Sequence, residues 1–369
     1  MTVIRRIALG TLVTLAALVL VLAWFISHDA GPAPLAPIPP QAARMKALVF
    51  RQYGGPEVLR IEEVVKPSPK PDELLIRVHA ASLNPLDWHR MRGLPYPVRL
   101  LATGIGRPRL TRLGVDFAGS VEAVGAQVRH FRVGDEVFGT ADGAVAAYVT
   151  STEVGLALKP ANSTFEQAAA VPIAGLTALQ GLRDKGQLKA GQKLLINGAS
   201  GGVGTFAVQI GKSMGAEVTG VCSTRNQELV RLIGADHVVD YTREDVTRGN
   251  ERFDLVLDMV GSYPLLAYRR VLNPHGTLVV VGSPSTDRWI GAMSGWIKAT
   301  FIRPFVGQHY DVLMADANRT QDLDALAELM RSGRVTPVID RTYALVDAAE
   351  AMRYLEQGHA RGKIIIRID

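Results

Sequence analysis

The sequence predicts an α/β chain: a compact all-β domain, then a doubly wound parallel sheet, with a transmembrane helix ahead of both. Three observations carry this expectation. Ile7 to Ile26, "IALGTLVTLAALVLVLAWFI", holds no charge. From Met45 the chain reads as short alternating strands broken by glycine turns. From Thr164 onward, strand-like runs alternate with helical ones, the pattern of a parallel sheet covered on both faces.

At 369 residues the chain is too long for one ordinary core and suits two domains plus a terminal segment. Its one cysteine, Cys222, allows no internal disulfide and no cysteine cluster for zinc. Net charge is +6, but the basic residues are scattered, which argues against nucleic-acid binding.

As a helix, Ile7–Ile26 spans about 30 Å, the hydrocarbon thickness of a bilayer. Arg5 and Arg6 precede it, and Trp24 and Phe25 stand at its far end, where an interfacial belt falls. A cleaved signal peptide would read similarly, but "SHDA" puts His28 where a small residue is needed. Residues 1–29 are therefore read as an uncleaved membrane anchor and residues 30–44, rich in Pro and Ala, as an extended linker. The two arginines favour a body outside the cytoplasm. A cytosolic cofactor, argued below, favours a cytoplasmic one, and that reading is preferred.

The β domain covers residues 45–165. "MKALVF", "LRIEEVVKP" and "DELLIRVHAASLN" have strand patterning, and turns fall at Gly119, Gly125 and Gly134-Asp135. "TFEQAAAVPIAGLTALQGL" then reads as a helix, with Thr164 as N-cap and Gln167 completing a capping box. In the block 166–304, strands are expected at Lys193–Asn197, Glu217–Cys222, His237–Asp240, Phe253–Met259 and Thr277–Gly282. Helices are expected near Gly202–Met214, Arg225–Ile233 and Pro264–Leu272. The segment 305–369 holds an amphipathic helix at Asp322–Arg331 and ends in "GKIIIRI", a strand too far along to continue the alternating block.

The turn after the first parallel strand reads Ala199-Ser200-Gly201-Gly202-Val203-Gly204, a G-x-G-x-x-G with Ala first. Between a strand and a helix it marks a Rossmann dinucleotide site. Gly201 lets backbone approach a pyrophosphate, Gly204 lets helix pack on strand, and the helix N-terminus faces the phosphates. The second strand ends "VCSTRN", where an enzyme for the unphosphorylated dinucleotide would carry Asp or Glu on the ribose. Ser223 and Thr224 can donate to a 2′-phosphate and Arg225 can pair with it, so the expected cofactor is NADPH.

"GQKLLINGASGGVGTFAVQIGK", "MKALVFRQYGGPEVLRIEE", "HAASLNPLDWHRMRG", "LGVDFAGSVEAVGAQVRHFRVGDEVFG", "GADHVVDYTRED" and "GHARGKIII" together resemble the zinc-independent quinone oxidoreductase branch of the medium-chain dehydrogenase/reductase superfamily. The likeness covers nearly all of Met45–Asp369. It implies a GroES-like domain plus a Rossmann domain, with the C-terminal strand returning to the first. Where zinc alcohol dehydrogenases have a Cys and "GHE", this chain has Asn84 and Gly114-Val115-Asp116, and the four-Cys lobe is missing. The resemblance implies that Ser200, Gly201, Gly202, Val203 and Gly204 cradle the pyrophosphate. Ser223, Arg225 and Tyr241 would surround the 2′-phosphate, and Thr177, Gly261 and Gly282 would lie towards the nicotinamide ribose. Ala360, Arg361 and Gly362 would touch the cofactor from the returning tail, and Asn84 and Asp87 would sit near the nicotinamide.

The expected reaction is hydride transfer from NADPH to a quinone or an α,β-unsaturated carbonyl. Such acceptors delocalise the incoming charge, so hydrogen bonds from Asn84, a backbone N–H or water can replace a Lewis acid. Tyr96, His89 or water would deliver the proton. Two alternatives stand beside this: an NADPH-binding redox sensor or assembly protein without turnover, and an enoyl-thioester reductase. "WIGAMSGWIKATFIRPFVG", Trp289 to Gly307, reads as a lid, a homodimer interface or an element lying in the membrane surface.

Overall fold

The computed structural model describes residues 2–35, 37–283, 285–291 and 293–368; the side chains of residues 2–4, 6–8, 10 and 12 also lie outside the description. Thr2–Ser27 forms one helix, α1. The expected transmembrane span falls partly on side chains outside the described residues, those of Ile7, Ala8, Gly10 and Leu12. Among the described residues no helix is long and apolar enough to cross a membrane. To that extent the transmembrane reading is not supported.

The first body strands are β1 (Arg44–Val49) and β2 (Arg60–Val65), an antiparallel pair. Next come β3 (Glu73–Leu83), β4 (Asp116–Val124), β5 (Glu136–Thr140), β6 (Tyr148–Thr152) and β7 (Leu156–Leu158). The parallel block holds β8 (Lys193–Asn197), β9 (Glu217–Cys222), β10 (His237–Asp240), β11 (Phe253–Asp258), β12 (Leu272–Val280) and β13 (His309–Val312). Two strands close the chain, β14 (Ile339–Ala344) and β15 (Lys363–Arg367).

β15 leaves the parallel block and pairs antiparallel with β3, Ile364 opposite Leu83 and Ile366 opposite Ala81. The resulting sheet runs β14-β15-β3-β4-β5-β7, with β6 on β3. Ile364, Ile365 and Ile366 are all buried. Three consecutive apolar residues fit a strand covered on both faces, which explains their lack of alternation.

The other sheet runs β10-β9-β8-β11-β12-β13 with every pairing parallel. Its order reverses at β8, so the carboxyl ends of β8 and β11 part to leave a crevice. Leu194, Leu195 and Ile196 of β8 are fully buried, as the centre of a two-sided sheet demands.

The Thr164–Gln167 capping box forms in both directions, at 3.1 and 3.0 Å. The single helix expected after it is two, Phe165–Ala169 and Pro172–Gln180, because Pro172 cannot continue the first. β12 begins at Leu272, earlier than expected, and the residues before it are a 3-10 run, Leu265–Arg270. Helix α2 (Pro85–Arg92) stands in a stretch to which the sequence reading assigned no element. Its signals were in the sequence: Asn84 as N-cap, Pro85 at the first position, and Gly93 in the left-handed conformation at the end.

Candidate active site

The crevice at the ends of β8, β9 and β11 is a cleft of about 570 Å³. The glycine turn forms its floor. Gly201 caps the helix Gly202–Ser213. A Cβ on Gly201 would meet only the Gly198 carbonyl, at 3.4 Å, so its outer side is open to a ligand. A Cβ on Gly204 would fall 2.1 Å from the Gly198 oxygen, an impossible contact; here helix packs on strand. Ser200 and Val203 also line the cleft, and the Ser200 hydroxyl accepts from Asn226 Nδ2 at 2.9 Å. The other side-chain atom of Asn226, Oδ1, is buried without a partner. An open glycine cradle at a helix N-terminus, with an unpartnered amide oxygen alongside, fits a dinucleotide.

Ser223, Arg225 and Tyr241 line the far end of the cleft. The Arg225 guanidinium gives one N–H to the His359 carbonyl at 3.1 Å, tying the end of β9 to the returning tail. Thr224 does not face the cleft: its hydroxyl donates to Asp240. That acid was missed in the sequence, because it ends a different strand. In the sheet it pairs directly with Cys222. Hydrogen bonds from Thr224 above all, and from Thr242 and Gln227, hold its carboxyl down at about 2. With those partners Asp240 is engaged away from the cleft, and Arg225 is left facing it.

Ala360 and Gly362 line the cleft, whereas Arg361 turns outward and gives its backbone N–H to Asp340 at 2.8 Å. Thr177 is buried and donates to the Ile173 carbonyl at 2.6 Å; Ala174 lines the cleft instead. Gly261 and Gly282 border a second hollow of about 440 Å³ with Ser283, Ile290 and Lys298. The loop between the two hollows puts Met259, Val260 and Ser262 on the cleft side.

At the inner end of the cleft stands a buried polar cluster centred on Asn84. Its Oδ1 accepts from Lys363 Nζ at 2.6 Å, and its Nδ2 donates to Asp116 at 2.9 Å. Lys363 also donates to the Leu83 carbonyl and lies 3.5 Å from the Asp116 carboxylate. Asp116 further accepts from Ser82 Oγ and the Ile173 N–H. Burial pushes Asp116 up and Lys363 down from their ordinary values, each opposed by the other's charge. Asn84 and Lys363 line the cleft. Sequence reading missed Lys363, for nothing in "GKIII" reveals that the strand returns beside Asn84.

Asp87 lies behind this cluster, fully buried, accepting the Asn84 backbone N–H at 2.7 Å. Its other oxygen has no partner, and burial raises its carboxyl to about 7. Tyr96 is not part of either hollow. Its ring packs edge-on against Trp289 and lies over Arg99. His89 bonds the Leu94 carbonyl through Nδ1, and burial lowers its pKa. Cys222 lines the cleft but is buried, and burial pushes its thiol up to about 11. Among the described residues, no group of three His, Cys, Asp or Glu is placed to hold a metal ion.

A GroES-like sheet and a parallel dinucleotide sheet meeting at such a cleft define an oxidoreductase. The model of the alcohol dehydrogenase GroES-like domain matches residues 70–180, and that of the zinc-binding dehydrogenases residues 233–366. The chain is 35% identical to the mitochondrial NAD(P)H oxidoreductase RTN4IP1 of Bos taurus, over 89% of this chain and 90% of that one. It is 34% identical to the chloroplastic NADPH-dependent alkenal/one oxidoreductase of Arabidopsis thaliana, over 87% and 79%. The quinone oxidoreductase of Escherichia coli, solved with NADPH, superposes with a TM-score of 0.75 at 26% identity, covering 87% of this chain and 99% of that one. The chain belongs to the quinone oxidoreductase branch of the medium-chain dehydrogenase/reductase superfamily. It is an oxidoreductase, and its cofactor is NADPH.

Proposed function

We propose that the protein reduces the conjugated double bond of an enone or enal, or a quinone, in the cleft bordered by Asn84. NADPH, when bound, supplies the hydride. The glycine turn holds the pyrophosphate, and Arg225 with Ser223 and Tyr241 selects the 2′-phosphate. Asn84 carries the assignment. Lys363 and Asp116 grip its amide from both ends, which fixes its orientation and polarises its N–H groups. One hydrogen of Nδ2 goes to Asp116; the other is the side-chain donor we assign to the acceptor oxygen. That donor does for a delocalised enolate or quinol oxygen what a metal does for a localised alkoxide. A zinc-independent site follows from the donor set, since by the family resemblance Asn84 and Val115 stand where the zinc enzymes carry a Cys and a His.

The test is NADPH oxidation by the full chain with menadione and with a short enone. Loss of NADPH absorbance with either acceptor supports the reading. NADPH binding without turnover on any such acceptor would favour the sensor reading. A homodimer is part of the same proposal: β13 is an open sheet edge, and Phe301 and Phe305 nearby are exposed. Light scattering at working concentration distinguishes one copy from two. We also infer that α1 anchors the protein to a membrane with the catalytic body on the cytoplasmic side. The uncharged run Ile7–Ile26 and the exposed apolar side chains of α1 support this, and flotation with vesicles tests it.

A further inference from the structure

Arg99 is a buried cation outside the cleft. Its guanidinium lies 4.1 Å over the Tyr53 ring and 4.9 Å over the Tyr96 ring, and its Nε donates to the Gly93 carbonyl. Nη1 faces the end of α1. It donates to the carbonyls of Ile26 and Ser27, both at 3.3 Å, and to Asp29 at 2.7 Å. The last carbonyls of a helix lack partners within it and carry partial negative charge, so a cation there caps the helix. The seat continues past the helix. Ala30 gives its N–H to the Gly106 carbonyl at 2.7 Å, Ala33 bonds the Arg51 carbonyl at 2.6 Å, and Ile26 is buried. The start of the expected extended linker is thus packed onto the body.

The surface around this seat is apolar and basic. Leu100, Leu101 and Ile105 are exposed, Leu101 by 76%, and Arg107 and Arg109 are exposed beside them. Beyond the seat, Leu18 to Leu22 of α1 are five successive apolar side chains, all more than half exposed. Successive residues turn by about 100° around a helix, so these five face every direction. A groove or a second copy covers one face of a helix; lipid covers all of them.

We propose that Arg99 locks α1 at a fixed angle to the body, so that the turn at Leu100–Leu101 and Ile105 rests on an anionic bilayer surface. Arg107 and Arg109 meet the lipid phosphates, and the body is held against the membrane instead of swinging on a tether. The proposal rests on the anchoring reading above, and its test separates the two.

Full-length Leu101→Cys, labelled with a polarity-sensitive bimane, is mixed with vesicles of phosphatidylcholine and phosphatidylglycerol. Native Cys222 is buried, and unmutated protein measures its background labelling. Flotation reports anchoring; quenching of the bimane by nitroxide-bearing lipid reports docking. Strong quenching is expected at position 101 and none in Leu232→Cys, an exposed site on the dinucleotide domain. Arg99→Gln should still float and bind NADPH, with quenching at 101 reduced severalfold. Asp29→Asn, which keeps the buried cation, should give a smaller loss in the same direction. Failure to float overturns the anchoring reading and the docking with it. Flotation without quenching at 101, or quenching unchanged by both variants, overturns the docking alone. Equal quenching on pure phosphatidylcholine overturns the role given to Arg107 and Arg109.

Discussion

Arg225 and Asp87 show what single side chains contribute here. Arg225 lines the cleft while nearby Asp240 is engaged by Thr224, Thr242 and Gln227, so Arg225→Ala should weaken NADPH binding about tenfold to a hundredfold, the loss of a charge-assisted pair worth roughly 1.5–3 kcal/mol. Binding of NADH should hardly change, and fluorescence titration with both coenzymes checks this. Asp87 carries a carboxyl raised from 3.8 to about 7 by burial. The folded state therefore keeps a proton that the unfolded state releases in that range. The stability it confers is full below the unfolded value and is lost as pH rises to about 7, at up to about 1.4 kcal/mol per pH unit. Asp87→Asn should flatten that part of the stability–pH curve in urea titrations. Residues such as these were only half legible. "VCSTRN" showed Arg225 and the lack of an acid on its own strand, but Asp240 reaches the same place from a neighbouring strand, and only the sheet register brings them together.

Among the elements, the glycine turn and β15 bear most on function. The turn was legible because its chemistry is local: glycines, a preceding strand and a following helix lie within one short stretch. Gly204→Ala should push the helix off β8, since its Cβ has only 2.1 Å to a backbone oxygen. A loss of about 1–3 kcal/mol in stability, with weakened NADPH binding, is expected from denaturant titration and fluorescence. β15 was legible as a strand and not as the bearer of Lys363 beside Asn84. Lys363→Met strands Asp116 as a buried unpaired charge and should cost about 3–5 kcal/mol. Adding Asp116→Asn should recover much of that loss, and a double-mutant cycle measures the coupling. α2 was missed although Asn84, Pro85 and Gly93 are ordinary helix boundaries, because only 8 residues separate them and no apolar period is visible over that length.

At the scale of the molecule, the two-sheet architecture was readable because strand and helix periods differ and each persists over many residues. The pairing of the tail with β3 could only be suspected, since nothing local records which sheet a lone apolar strand joins. The cleft lies between the two sheets, with β15 as one wall and the glycine turn as another. Removing Lys363–Arg367 should therefore abolish NADPH binding as well as loosen the β domain, readable as loss of a single cooperative thermal transition.

The thiol at the tip of β9 has a consequence of its own. Enones are electrophiles that alkylate cysteine thiolates, and a protein that gathers them in a cleft exposes itself to that damage. This chain has one cysteine, shielded from solvent and with a pKa of about 11, so at neutral pH hardly any of it is thiolate. The protein should keep its activity after incubation with N-ethylmaleimide and after long exposure to its own reactive substrates.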